Sequence, residues 1–297
     1  MSGHAPSKLH IEGVAELWFV PHNALSRSDE LIYRPATLVE CSVCFRSLRA
    51  GLNHSEERTY TAWLPESSLA IDWDQSAVSV DEGLLVSMPP PSDMRYQQGK
   101  YVTTHSDLSQ YQAELIDQLA RTERLRVYFN PVFGLFSMPE ERLEDFLSSV
   151  AEAALSRVEP ELKQLRNKFE LRFEQIRQAN AQQALQPEDL SFESFMSQKL
   201  YLFESENRLA TMFSTLAGAV FGAAEPKRLP ESSPWDAAEL VEDLNRLEQE
   251  ASEGLRHLYQ EYNSLANEYD IFEIGLQPGN IKVTRCALLW VPVASSQ

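Results

Sequence analysis

Residues 130–146, NPVFGLFSMPEERLEDF, pass from an apolar aromatic run to a charged amphipathic pattern within a few residues. Phe129 to Phe136 reads as the end of a strand followed by a turn through Asn130-Pro131 and Gly134. Ser137 then stands where a helix N-cap would, with Glu140 three residues on, the spacing of a capping box. Pro139 falls in the first turn, where its missing N–H leaves no helical hydrogen bond unmade, and Glu140 and Glu141 sit at the positive end of the helix dipole. The stretch therefore predicts the exit from a β-rich part of the chain into a helical one.

Downstream, Leu143, Phe146, Leu147, Val150, Ala154, Val158, Leu162, Leu165, Phe169, Phe173 and Ile176 recur mostly at steps of three and four, one apolar stripe in need of a partner helix. Pro160 interrupts the stripe and predicts a kink or a split there. Residues 180–189 read as a turn, and a second helical block runs from Phe192 to Phe221, ending in an apolar stretch over 209–222. A third opens on Ser233-Pro234, an N-cap followed by Pro at the first helical position. Its stripe is Leu240, Leu244, Leu247, Ala251, Leu255, Leu258, Tyr262, Leu265 and Tyr269, with a stutter at Ala251. About 35 residues at ~1.5 Å each give a rod of about 50 Å, which buries its stripe most simply in an antiparallel coiled coil.

Upstream the pattern is that of strands: 14–20, 36–45, 58–64 and 124–129, separated by Pro, Gly, Asn and Ser clusters. Residues 106–121 carry Leu108, Tyr111, Leu115, Ile116 and Leu119 at helical spacing. Residues 88–93 hold three prolines and predict a loop. The apolar run 281–293 predicts a strand that returns to the N-terminal sheet beside Leu125–Phe129. The expected fold class is α+β: a β-rich base of residues 1–136 with 275–297, completed by the C-terminal strand, and an inserted antiparallel coiled-coil arm over 137–274.

At 297 residues, 43% apolar and 10% aromatic, the chain can build real cores. No stretch reaches 18 uncharged apolar residues and the N-terminus lacks a signal pattern, so a cytoplasmic, non-membrane protein is expected. The net charge of −18 opposes direct nucleic-acid binding. The most basic stripe, Lys163, Arg166, Lys168, Arg172 and Arg177, is interleaved with Glu159, Glu161, Glu170 and Glu174 and reads as a solvated helix face. Cys41-Ser-Val-Cys44 matches C-x-x-C but lies in a strand pattern, where positions three apart point to opposite faces; with Cys286 these read as structural thiols.

With those residues laid out, the chain resembles the C-terminal region of large bacterial ATP-binding proteins of the HerA/FtsK-like translocase type. The stretches that carry the resemblance are FNPVFGLFSMPEERLEDF (129–146), KQLRNKFE (163–170), RLATMFSTLAGAVFG (208–222) and VTRCALLWVP (283–292), with YRPATL (33–38), IDWD (71–74) and MPPPS (88–92) in similar order upstream. The chain departs from those proteins where they hold nucleotide. The sole Gly-Lys, Gly99-Lys100, has Met94 where a P-loop needs its first glycine and Tyr101 where it needs Ser or Thr. The resemblance thus implies an accessory module whose ATPase is a separate chain.

No G-x-S-x-G elbow or H-E-x-x-H pair is present, and six scattered histidines, His257 among them, form no ligand spacing. Asp72-Trp73-Asp74 places two carboxylates on one face if extended, a pattern able to hold a divalent cation or share a proton. The expected function is a non-enzymatic adaptor without catalytic residues, metal or cofactor, and the resemblance implies a place in DNA processing or defence. Its partner is a separate P-loop ATPase or a second copy of the chain, engaged through Leu209, Met212, Phe213, Leu216, Val220 and Phe221. The alternative is a hydrolase or nuclease built on non-sequential carboxylates such as Asp72 and Asp74.

Overall fold

The computed structural model describes residues 8–20, 31–66, 70–89, 95–101, 104–180, 191–197, 208–222 and 238–294. The expected turn at 180–189 and the Ser233-Pro234 cap fall outside these, as do most of the proline loop and part of the second helical block. Strands and helices follow in the order β1 (Ala15–Phe19), β2 (Leu31–Ser47), β3 (Leu52–Trp63), β4 (Leu85–Val86), β5 (Arg95–Tyr96), α1 (His105–Thr122), β6 (Arg124–Asn130), β7 (Leu135–Phe136), α2 (Leu143–Asn180), α3 (Phe192–Ser197), α4 (Arg208–Phe221), α5 (Ala238–Asn267), β8 (Asp270–Gly275) and β9 (Ile281–Ala294). The fold class is α+β. The chain divides into two compact units, residues 1–125 with 273–297 and residues 126–272. The division falls within β6 and β8, after Leu125 and before Glu273.

The first unit is built on a sheet of order β3-β2-β9-β1-β4, with β5 added on β2. β9 runs antiparallel to β2 from Leu31↔Ala294 to Val43↔Ile281, with a bulge between Glu40 and Cys41, and parallel to β1 from Ala15↔Ala287 to Trp18↔Trp290. The expected neighbour, Leu125–Phe129, lies instead in a separate sheet of order β7-β6-β8. The reason is in the side chains: β9 is apolar at consecutive positions, and Ala287, Leu288, Leu289 and Trp290 are all fully buried. Such a strand needs cover on both faces and pairing on both edges, which a short edge sheet does not provide.

Strand alternation divides that cover in two. Leu17, Ala36, Leu38, Ala287, Leu289 and Val291 form one buried face, against which Phe19, Trp63, Val78, Val80 and Leu85 pack. Trp18, Leu288 and Trp290 occupy the other face. There Gln112 of α1 reaches the thiol of Cys286, whose pKa burial raises above its usual value. α1 itself starts on a full capping box between Thr104 and Asp107 and buries Leu108, Tyr111, Leu115 and Leu119.

In the second unit α2 continues through Pro160 as one helix of 38 residues, so the expected split does not occur. Its start departs from expectation. Ser137 is buried and pairs with β6 instead: its N–H donates to Tyr128 O and its Oγ accepts from Tyr128 N, both at 2.9 Å. A strand pairing thereby takes the donor and acceptor that a cap would have used. Residues 138–141 close a turn in its place, with Glu141 N–H donating to Met138 O at 3.3 Å, Glu141 Oε2 accepting from Met138 N, and Glu140 at φ 61°. Pro139 then Glu140 at positive φ is the pattern of a type II turn. The helix proper begins one residue after Arg142, whose carbonyl accepts from Asp145 and Phe146.

α2 and α5 pack antiparallel: Glu161 meets Tyr262 while Arg172, further along α2, meets Glu250, earlier along α5. Between them lie Val150, Ala154, Val158, Leu162, Phe169 and Phe173 from α2 and Leu244, Leu247, Ala251, Leu255, Tyr262 and Ala266 from α5. Glycine is required just after α4, where Gly222 has φ 76° and a Cβ would lie 2.8 Å from Glu193 Cγ. Arg166 seals the same helix end, donating to Val220 O at 3.0 Å and pairing with Glu193 at 3.1 Å.

Candidate functional site

The apolar helix expected to face a partner is α4, and it faces inward. Leu209, Phe213, Val220 and Phe221 are buried in the core of the helical unit, while Met212 and Leu216 are half-buried. Phe213 packs edge-on to Tyr259 of α5, and Phe221 lies 6.4 Å from Phe192 of α3. The apolar face of this helix is covered inside its own unit, so five of the six residues, all but Met212, belong to its core.

The Asp72–Asp74 pair is not extended. Asp72 Oδ1 accepts from the backbone N–H groups of Asp74 and Gln75 at 3.2 and 3.0 Å, and the Asp72 carbonyl accepts from Ser76 N–H at 2.8 Å. This is an Asx turn. Asp74 Oδ1 accepts from Gln118 of α1 at 2.9 Å. Among the described residues no group of three or more His, Cys, Asp or Glu is placed to hold a metal ion.

Four of the five basic residues of the α2 stripe pair with carboxylates, and Lys168 lies over the Phe169 ring. Lys163 pairs with Glu159, Arg166 with Glu170 and Glu193, Arg172 with Glu250, and Arg177 with Glu174. His257 is exposed and lies 3.9 Å from Glu261. Cys41 faces Arg58 across β3 and is fully buried, whereas Cys44, three residues on, donates to Asn53 Oδ1 at 3.1 Å.

The arrangement with the most concentrated chemistry is one that no sequence motif marks. Residues 8–14 fold back on β1 through a turn in which Val14 N–H donates to Ile11 O at 3.2 Å and Gly13 takes φ 76°. Ile11, 1% exposed, pins this strap. Lys8 is thereby carried over three aromatic rings, its Nζ standing 4.4 Å from the centroid of Trp18, 5.8 Å from Tyr96 and 5.9 Å from Trp290. Tyr96 and Trp290 meet edge to face at 4.7 Å, and Tyr33 follows Tyr96 at 6.1 Å.

Each ring comes from a different strand. Trp18 and Trp290 are register partners in β1 and β9, and β5 places Tyr96 opposite Tyr33 of β2. Glu16, two residues before Trp18 and so on the same face, forms an ion pair with Lys8 and accepts from His10 Nδ1 at 2.8 Å. Burial alone would raise the Glu16 carboxyl; hydrogen bonds from Lys8 and His10 and the Lys8 charge outweigh it and hold the group below the usual carboxylate value. Burial likewise raises the phenol of Tyr96. The indole Nε1 atoms of Trp18 and Trp290 are buried without a well-formed hydrogen bond; Trp18 lies near enough to the Tyr96 phenol, and Trp290 to the Glu16 carboxyl, to favour the charged form of each.

Sequence reading missed this site because its members are scattered over residues 8 to 290. The one local signal is the alternation Glu16-x-Trp18, a carboxylate and a large ring on the same face of a strand. No family model, curated protein or solved structure matches the chain. No described helix is long and apolar enough to cross a membrane.

Proposed function

We propose that the chain is a non-enzymatic adaptor: an accessory subunit in which the sheet unit recognises one partner while the helical unit, acting as a paired-helix arm, engages another. The observation that carries this reading is the state of Asp72 and Asp74. The hydrolase alternative needs their oxygens for a metal or a reacting group, and Oδ1 of each is engaged in shaping a turn or anchoring it to α1. Recognition chemistry, by contrast, is concentrated in the aromatic, charge-lined cluster around Lys8. The resemblance to HerA/FtsK-like proteins, in a chain without a P-loop, makes a separately encoded P-loop ATPase in DNA processing or defence the partner to test first.

Two experiments test it. Affinity capture from the native host, followed by reconstitution from purified components, is expected to yield a stable complex with such an ATPase, and Asp72→Ala with Asp74→Ala is expected to leave that complex intact. Purified protein that hydrolyses nucleic acid or esters with added divalent cations, and loses that activity in the same double variant, would overturn the adaptor reading.

A further inference from the structure

We infer that the cluster of Trp18, Tyr96, Trp290 and Glu16 is a binding site for an alkylammonium cation, and that Lys8 occupies it as a tethered internal ligand. An ammonium within about 6 Å of several ring faces is held by their quadrupoles, the more strongly the drier the site. Three rings meet that criterion around Lys8 Nζ, and a carboxylate closes the remaining side. Aromatic walls with one acidic group are a general solution for recognising lysine-like or quaternary cations.

Two further observations point to a ligand site in place of simple packing. The side chain of Lys8 keeps 29% of its surface exposed, so the mouth is open to solvent, while Trp18 and Trp290 beneath it are 3% and 0% exposed. Both indole N–H groups are buried and neither makes a well-formed hydrogen bond, Trp18 standing against the Tyr96 phenol and Trp290 against the Glu16 carboxylate. Buried donors left with poorly aligned partners are costly in a core that serves only stability. Here they stand ready for an acceptor that an incoming ligand brings beside its ammonium, such as a backbone carbonyl next to a lysine. Lys8 belongs to a strap fastened by Ile11 and the Gly13 turn, so it can leave the rings without any strand of the sheet parting.

The chemistry fits a free alkylamine or a lysine side chain of another protein, and the site stands whether or not the chain is an adaptor. The test uses the whole protein, wild type and Lys8→Ala, titrated with n-butylammonium and separately with a lysine peptide blocked at both ends. The indole N–H resonances of Trp18 and Trp290 are the readout.

Saturable shifts are expected in Lys8→Ala. Binding to wild type is expected to be about tenfold weaker, because a tethered competitor acts at an effective concentration in the millimolar range. n-Butanol should produce no saturation, and Lys8→Ala with Glu16→Gln should lose the response to the amine. Tighter binding of the peptide identifies a protein lysine as the natural occupant; equal or tighter binding of n-butylammonium identifies a small amine. Absence of saturation in folded Lys8→Ala, or an equal response to n-butanol, overturns the inference. Lys8→Gln, which removes the charge and keeps the length, replaces Lys8→Ala if that variant does not fold. If neither folds, saturable displacement in wild type supports the site and its absence overturns it.

Discussion

In the sheet unit β9 is hydrogen-bonded to β2 and β1, and Thr284 bonds to Glu40 across 244 residues of chain; in the helical unit α2 meets α5 through side chains, with Tyr262 donating to Glu161 across 101. The first is held by backbone pairing in a fixed register, where one slipped residue would turn every inward side chain outward. The second is held by an apolar seam in which backbone bonds are satisfied within each helix. Damage should spread differently in the two. A seam loses stability in proportion to the atoms removed, while a register either holds or fails.

The largest expected effect breaks the seam. Leu247→Ala with Leu255→Ala empties two positions that are 1% and 0% exposed, and each should cost about 2–5 kcal/mol. The same pair of changes at Leu258 and Leu265, which are only half-buried, should cost clearly less. Thermal melts followed at 222 nm check the ranking, and equal losses at both pairs would refute the assigned inner face of α5.

Next comes Asn130, buried at the join between β6 and the end of α5. Its Nδ2 donates to the carbonyls of Leu265, at 2.9 Å, and Glu268, at 2.6 Å, while its Oδ1 accepts from Phe133 N–H at 2.9 Å. Asn130→Ala leaves several buried polar groups without partners and should cost about 1–3 kcal/mol in chemical denaturation. Asn130→Asp should cost at least as much, since a carboxylate would face two carbonyl oxygens.

In the sheet unit the sharper test is acidity. Glu16 has its carboxyl lowered from 4.5, so the folded state favours the ionised form more than the unfolded chain does. The stability this contributes is complete above about pH 5 and is lost as pH falls through the lowered value. The gap in melting temperature between wild type and Glu16→Gln should therefore narrow steadily below pH 4.5; a gap independent of pH would contradict the charged Lys8–Glu16 pair.

The smallest effects are gains. A Cβ at Gly254 would stand 3.4 Å from Leu165 Cδ1, in ordinary contact, so Gly254→Ala should add about 0.5–1 kcal/mol through helix propensity. Glu140→Gly removes a left-handed strain of about 1–2 kcal/mol and gives part of it back in unfolded-state entropy, for a net gain below about 1 kcal/mol. Denaturant midpoints with unchanged slopes would record both.

How far the sequence reached follows the same division. Leu244, Leu247, Ala251, Leu255 and Tyr262 could be read as an inner face because helical period is local. The four early strands and the run 281–293 also stand out, as alternation or unbroken apolarity. The neighbours of β9 do not, since pairing is decided by partners far away in the chain. Ser137 shows the same limit at one residue: Ser-x-x-Glu is a sound local rule, yet Tyr128 offers its backbone first. α4 misleads for another reason, because an apolar helix reads alike whether its cover comes from its own unit or from elsewhere. The Lys8 cluster is the extreme case, four strands and a turn converging with no shared motif.

The order β2-β9-β1 has a consequence for biogenesis. β1 and β2 have no bond to one another; β9 lies between them and pairs with both. On the ribosome both therefore emerge long before the strand that joins them exists, and the intervening helices can pair first. Until β9 arrives, the nascent sheet presents open edges and bare tryptophan. A pause or truncation ahead of Ile281 should leave a chain with a formed helical unit and a sticky, unfinished sheet, the species a holding chaperone would be expected to bind.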